Sequence, residues 1–206
     1  KNVDNIVALH QRKVENLQQL KKSLLQQMFV SGKDSVPRIR FAGFTDAWEQ
    51  RELGDLAKIS AGGDVDKALL TPDGYPVIGN ALTKRGIQGY YADKYRITAP
   101  AVTVTGRGEV GHAEPRFKNF TPVVRVLAVE SNSDPRFLAA NINNHPLFVE
   151  STGVPQLTAP QLSKYKLWFP SRLEEGKIGT LLKNVDNIVA LHQRKVENLQ
   201  KLKKSL

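Results

Sequence analysis

Few residues in this 206-residue chain could carry covalent chemistry. It contains no cysteine, which excludes thiol nucleophiles, disulfides and thiolate zinc sites, and its four histidines leave little for a structural metal. His112 stands two residues before Glu114, a pairing that could serve acid–base work, but a loop histidine with an acidic neighbour is ordinary. His145 precedes Pro146 and reads as a turn or surface residue. His10 and His192 are copies of one position in a repeat, where packing or hydrogen bonding accounts for them and a metal shared between two helices is the chemical alternative. No Gly-x-x-x-x-Gly-Lys-Ser/Thr loop for ATP and no Gly-x-Ser-x-Gly elbow occurs. Gly106-Arg107-Gly108-Glu109-Val110-Gly111 fits Gly-x-Gly-x-x-Gly after a strand-like run. A dinucleotide site needs a helix next, and Pro115 with the strand-like sequence beyond it argues against one, so tight turns in a basic loop explain these glycines.

What the chain concentrates instead is positive charge. Thirty Lys and Arg stand against twenty Asp and Glu, a net +10 that points to an anionic partner. Residues 84–125 hold eight of those cations and three acids: Lys84, Arg85, Lys94, Arg96, Arg107, Arg116, Lys118 and Arg125, against Asp93, Glu109 and Glu114. Glycines and aromatics interleave them, among them Gly86, Tyr90, Tyr91, Gly106, Gly108 and Phe117. Such loops can approach a phosphate backbone and set forked guanidinium donors on guanine edges. Lys84, Arg85, Arg107, Arg116 and Lys118 are therefore expected to line a nucleic-acid face. Thr105, Thr152 and Gln156 are further candidates for their hydrogen-bonding groups. The plain alternative is a solvated charged surface.

Two helices must carry this segment. Residues 1–24 return at 183–206 with a single change, Gln19 to Lys201. Near-identity over that length is not convergence; it implies duplication, recombination or permutation, and with Lys1 in place of an initiator methionine we expect a fragment or a rearranged chain. Apolar residues at Val3, Ile6, Val7, Val14, Leu17, Leu20, Leu24 and Met28 recur at 3–4 spacing and line one helix face. No glycine or proline interrupts residues 1–31, and Gly32 offers a stop. The spacing predicts a first helix over 1–32 and a second over 173–206, entered after Pro170, with Glu174 and Glu175 suited to a helix N-terminus. Between them, 37–170 is a mixed α+β globule. Tyr75–Gly79, Ala101–Thr105, Pro122–Val129 and Tyr165–Phe169 read as strands, and Glu52–Ile59 and Arg136–Asn143 as short helices. The fold class expected is α+β, a globule flanked by two long helices forming an antiparallel coiled-coil stalk. No apolar run suits a membrane span and no signal peptide opens the chain, so a soluble, cytoplasmic protein without membrane partners is expected.

Several separated segments resemble the specificity subunits of type I restriction–modification systems. Trp48-Glu49-Gln50-Arg51-Glu52-Leu53-Gly54-Asp55-Leu56, followed by Ile59 and Gly62-Gly63, is similar to that family's opening of a target-recognition domain. Gly74–Ile78, Val102–Gly108 with Gly111, and Ser151–Thr158 resemble its internal landmarks. Leu162–Pro170 and then Leu173–Ile178 resemble its passage into a conserved helix, although Glu175-Gly176 stands where the family usually has Glu-Gln. The resemblance covers nearly the whole chain. It implies a protein without chemistry of its own. In full-length members two recognition domains, joined by helices that pair antiparallel, each read half of a split target in double-stranded DNA. Modification subunits then methylate adenine with S-adenosylmethionine, and restriction subunits add ATP-driven translocation and cleavage. Cofactors, including Mg2+, are thus expected on partner subunits only. This chain matches one recognition domain between two helices. The seam residues Val7, Val14, Leu17 and Leu24 are expected to meet Val189, Val196, Leu199 and Leu206. Leu20 and Leu202, with Ile6 and Ile188, would be left to bury in a homodimer that restores two reading heads. A helical-stalk adaptor whose basic domain binds RNA or an acidic protein is the alternative.

Overall fold

The computed structural model describes residues 2–30, 34–145 and 155–204. The chain opens with helix α1 (Asn2–Met28) and passes through a long connection to β1 (Glu49–Glu52), the single turn α2 (Leu53–Leu56) and β2 (Ala57–Ala61). Next come β3 (Tyr75–Ile78), β4 (Ile87–Tyr91), β5 (Ala101–Thr105), β6 (Ala113–Arg116), β7 (Thr121–Pro122) and β8 (Val126–Ser131). The remainder is α3 (Pro135–Asn144), α4 (Ala159–Ser163), β9 (Lys166–Phe169) and the long helix α5 (Arg172–Lys204).

The central sheet has the order β2-β8-β5-β6, with every neighbouring pair antiparallel. A strand is two-faced, and here both faces are covered. Val102, Val104, Leu127 and Val129 point into the main core with Phe137, Leu138 and Ile142 of α3 and Ile178 and Leu182 of α5. Ala101, Val126 and Ala128 point the other way, into a smaller cluster with Ile78, Ile97 and Phe120. The second face is capped by a three-stranded sheet, β4-β3-β7, in which β3 pairs antiparallel with β4 and parallel with β7. Double coverage explains why β5 is buried along its whole length and why β8 reads as a continuous apolar run over Val126–Val129. β1 and β9 form a separate antiparallel ribbon, Glu49 opposite Phe169 and Glu52 opposite Lys166.

Three departures from the sequence expectation have physical causes. Helix α1 ends at Met28, short of the expected span of 1–32, because Phe29 and Val30 leave it to enter the core. Phe29 stacks on Phe137 at 5.4 Å and meets the edge of Trp48 at 5.9 Å. Gly32, the expected stop, lies outside the described residues. Glu52–Ile59 is one helical turn between two strands, not a helix, because its flanks pair with β9 and β8. Pro122–Val129 is broken at 123–125, where Arg125 takes a left-handed backbone (φ 70°), so β7 and β8 join different sheets. Ala101–Thr105 is β5 as expected, and α3 extends Arg136–Asn143 by one residue at each end. Asp134 caps α3, its carboxylate accepting from the N–H groups of Arg136 and Phe137 at 2.8 and 3.1 Å.

Helices α1 and α5 pair antiparallel, and the repeat makes the pairing pseudo-symmetric. Lys21 Nζ lies 2.5 Å from Asp186, and Lys203 Nζ lies 2.5 Å from Asp4. Shifting either pair by the repeat offset generates the other. His10 and His192, the same residue in the two copies, meet on the local axis with their Nδ1 atoms 3.0 Å apart. Val7, Val14, Leu17, Val189, Val196 and Leu199 are half-buried along the pair. Leu24 packs on the globule's core instead, and its copy Leu206 lies outside the described residues. Ile6, Leu9, Leu20, Ile188, Leu191 and Leu202 remain exposed at 42–55 %. The pair is anchored by a buried fork: Arg40 Nε and Nη2 donate to the two oxygens of Glu174 at 2.7 and 2.8 Å, tying the connection after α1 to the first turn of α5.

Candidate nucleic-acid interface

The loops where β5 of the central sheet and β3 of the three-stranded sheet finish and β6 and β8 begin are laced together by backbone and one side chain. Gly106 N–H donates to Arg125 O at 2.8 Å, and Leu157 N–H donates to Gly106 O at 3.0 Å. Asn80 Oδ1 accepts from the same Gly106 N–H at 3.1 Å, while Asn80 Nδ2 donates to Val124 O at 3.2 Å. Gly79 N–H closes its own loop on Gly86 O at 2.8 Å. Four segments, 79–86, 105–111, 123–126 and 155–158, thus converge on Gly106. An added Cβ there would collide with Arg125 O and stand 2.8 Å from Leu157 O, so only glycine permits this approach. Gly108 and Gly111 adopt left-handed φ of 77° and 88°, and the β5–β6 connection returns as a hairpin, not as the helix a dinucleotide site requires.

This lacing presents Lys84, Arg85, Arg107, Arg125 and Gln156 on adjoining loops. Lys84, Arg107 and Gln156 are exposed, and among the described residues Lys84 and Arg107 have no ion-pair partner. Lys84 and Arg85 are consecutive left-handed residues (φ 50° and 55°), a strained conformation for side chains with a Cβ. Arg85 is tethered: its Nε donates to Glu114 Oε1 at 2.5 Å and its Nη2 to Pro115 O at 3.1 Å.

Other candidates are placed elsewhere. Lys118 is exposed in the turn after β6, at that strand's far end, in a groove with Tyr75 and Asn119. The structure does not bring it to the loop cluster. Arg116 is 8 % exposed and its Nε donates to Thr103 Oγ1 at 2.9 Å, so it cannot meet phosphate as expected. Burial lowers its pKa to about 10, against the opposing charge of Glu114. Thr105 is also committed internally: it is buried, its hydroxyl donates to Glu109 O and accepts from His112 N–H at 2.9 Å. Thr152 lies outside the described residues. Arg116 points inward because it stands opposite Ala101 in the β5–β6 register, on the face that the three-stranded sheet covers, a pairing that the charged sequence Ala113-Glu114-Pro115-Arg116 does not reveal. Asn80 escaped notice because its role is purely tertiary; the available signal was a Gly79-Asn80 turn at a strand end.

The His112–Glu114 pair has its Nε2 and Oε2 3.6 Å apart. Burial alone would raise the Glu114 pKa, but the bond from His112 and the charges of Arg85 and Arg116 outweigh it and hold the carboxyl below its ordinary range. The pair is a strut for the Arg85 loop. Among the described residues no three His, Cys, Asp or Glu side chains are grouped to hold a metal ion, and no helix is long and apolar enough to cross a membrane. What the cluster can do chemically is offer cations, amides and backbone N–H groups to an anionic, hydrogen-bonding polymer.

A family model for the type I restriction modification DNA specificity domain matches residues 45–201. A Mycoplasma pneumoniae relative bearing the name type I specificity subunit S.MpnORF507P is 26% identical over 138 residues, 64% of this chain and 38% of that protein. The fold resembles the S subunit of a type I restriction–modification system from M. genitalium, with a TM-score of 0.74 and 11% identity over 98% of this chain and 56% of that one. It also resembles the HsdS subunit from Thermoanaerobacter tengcongensis, with a TM-score of 0.63 and 13% identity over 99% and 53%. A chain solved in work on complex assembly and conformational transition of the type I R-M system aligns with a TM-score of 0.67, 14% identity, over 99% and 54%. The chain therefore spans about half the length of the solved subunits and less of the curated relative.

Proposed function

Because this chain belongs to the family of type I restriction–modification DNA specificity domains, we propose that it is a non-catalytic recognition unit that reads one half of a split target in double-stranded DNA. The observation that supports this most is the convergence of the basic loops on Gly106 and Asn80, which holds Lys84, Arg107 and Gln156 outward on one rigid base. Cations on such loops supply sequence-independent phosphate contacts, and amide and guanidinium groups beside them read base edges. Rigid sheet ends position those groups, which is what discrimination between bases needs.

In this reading the helix pair is the docking and spacing element. Helix α5, at 33 residues, is roughly 50 Å long at about 1.5 Å per residue. Modification subunits bind it and methylate adenine with S-adenosylmethionine, and restriction subunits with ATP and Mg2+ complete the enzyme. All of that chemistry resides in the partners. One head reads only half a target, so two copies of the chain pair through the exposed stripe of Ile6, Leu9, Leu20, Ile188 and Leu191 and read a palindromic split site in the bacterial cytoplasm.

The test is methylome sequencing of a host that expresses this chain with its modification subunit. The expected result is a new methylated motif with two inverted half-sites. A methylation pattern indistinguishable from that of the modification subunit alone would overturn the reading. Sedimentation over a concentration series tests the dimer separately: a monomer at tens of micromolar, with its mass unaffected by Leu20→Glu, would remove it and leave the recognition role in place.

A further inference from the structure

Arg116 is a cation that folding has buried, and its surroundings leave it underused. Of its five N–H donors only Nε–H has a partner among the described residues, Thr103 Oγ1. Among the described residues Nη1 and Nη2 have none, and no carboxylate forms a salt bridge with the group. Glu114, which acts on it through space, is already committed to Arg85 at 2.5 Å and His112 at 3.6 Å. A largely buried ion whose counter-charge is shared with other groups is costly, and proteins resolve such cases with a further partner or a bound ion.

The space for a partner is there. Arg116 lines a cavity of about 50 Å³ between the central and the three-stranded sheets, together with Thr103, Thr105, Arg85, His112 and Val126. A water requires about 10–15 Å³, so the cavity has room for a small anion of halide size together with water. The formal charges of Arg85, Arg116 and Glu114 at its wall sum to +1. A single negative charge balances them. Burial at low dielectric strengthens its attraction to the guanidinium, and four unclaimed Nη–H donors are available to hold it.

We propose that this cavity is a binding site for a small monovalent anion of halide size, held by the Nη groups of Arg116. The anion neutralises the +1 cluster and braces the wall shared with the Arg85 and Thr105 loops. The site is distinct from the exposed cations above it and stands whether or not those cations read DNA.

The experiment is a bromide titration of the full chain at fixed total potassium salt, replacing glutamate stepwise, with thermal midpoints recorded for the parent and for Arg116→Gln. Salt effects common to both cancel in the difference. The expected result is a parent-minus-variant difference that grows with bromide and saturates. Curves that stay parallel at every bromide concentration would overturn the proposal. Should Arg116→Gln fail to fold, crystals of the parent grown with bromide decide the matter. An anomalous peak within hydrogen-bonding distance of the Arg116 Nη atoms supports the site, and none in that cavity refutes it.

Discussion

Replacing Gly106 with alanine should unlace the loop cluster. The new methyl would collide with Arg125 O and stand 2.8 Å from Leu157 O, and neither backbone oxygen can swing aside as a side-chain tip could. The two hydrogen bonds that define the knot, Gly106 N–H to Arg125 O and Leu157 N–H to Gly106 O, are the first to lengthen. A hydrogen bond contributes about 0.5–1.5 kcal/mol, and forcing a methyl into packed space costs about 1–3 kcal/mol. Partial relaxation recovers some of each, so the expected cost is about 2–4 kcal/mol. At about 2–4 °C per kcal/mol for a chain of this size, the thermal midpoint should fall by roughly 5–15 °C. Gly108 is the internal control. An added Cβ there meets nothing within 4 Å, and only its left-handed φ of 77° is strained, at about 1–2 kcal/mol. Urea and thermal unfolding of both variants, followed by DNA binding on the same preparations, gives the comparison. Gly106→Ala should be the less stable and should lose more affinity. A Gly106→Ala midpoint equal to or above that of Gly108→Ala would refute the close-approach argument.

Three further outcomes are expected. Changing Lys84 and Arg107 together to alanine should reduce the steepness of log K against log salt by about 1.8, at about 0.9 per phosphate contact, and an unchanged slope would take both residues out of the interface. Arg40→Ala leaves Glu174, only 1 % exposed, without its fork and should cost about 3–5 kcal/mol by urea unfolding; a cost below about 1 kcal/mol would show that the pair does not anchor α5. Burial first, and then the charges of His10, Lys13 and Lys195, lower the pKa of His192 below its ordinary value near 6.5, so the folded chain binds fewer protons than the unfolded chain just below that pH. Its contribution is therefore complete above about 6.5 and is lost as pH falls through the folded value, and circular dichroism melts should show the midpoint declining over that window, less so in His192→Asn. A midpoint that rises on acidification there would contradict the assignment.

Local pattern determined the parts of this protein whose environment repeats along the chain. The 3–4 apolar spacing of residues 3–28 and of their copy is periodic over many turns, so α1 and α5 are legible without a partner. Ala101–Thr105 is β-branched from Val102 onward and bounded by proline and glycine, which suffices for β5. The basic excess of 84–125 is a matter of counting, and the ordered motifs from Trp48 to Ile178 carry the family resemblance. Tertiary structure decided everything that depends on what lies opposite. Leu53, Leu56 and Ile59 have helical spacing, yet Glu49–Glu52 and Ala57–Ala61 are strands because β9 and β8 offer them ladder partners. Arg116 carries a charge that composition assigns to the surface, but as the last residue of β6, opposite Ala101, it lies on the face that the three-stranded sheet covers, while Lys118 stands beyond the strand's end and stays out. His10 and His192 look like two unrelated interruptions of a seam until antiparallel pairing lays one copy of the repeat over the other and brings them to 3.0 Å. Asn80, Gly106, Arg125 and Leu157 are far apart in sequence, and no local pattern marks them as one knot. Sequence periodicity reports the direction in which a residue points; only the packed chain supplies the atoms it meets.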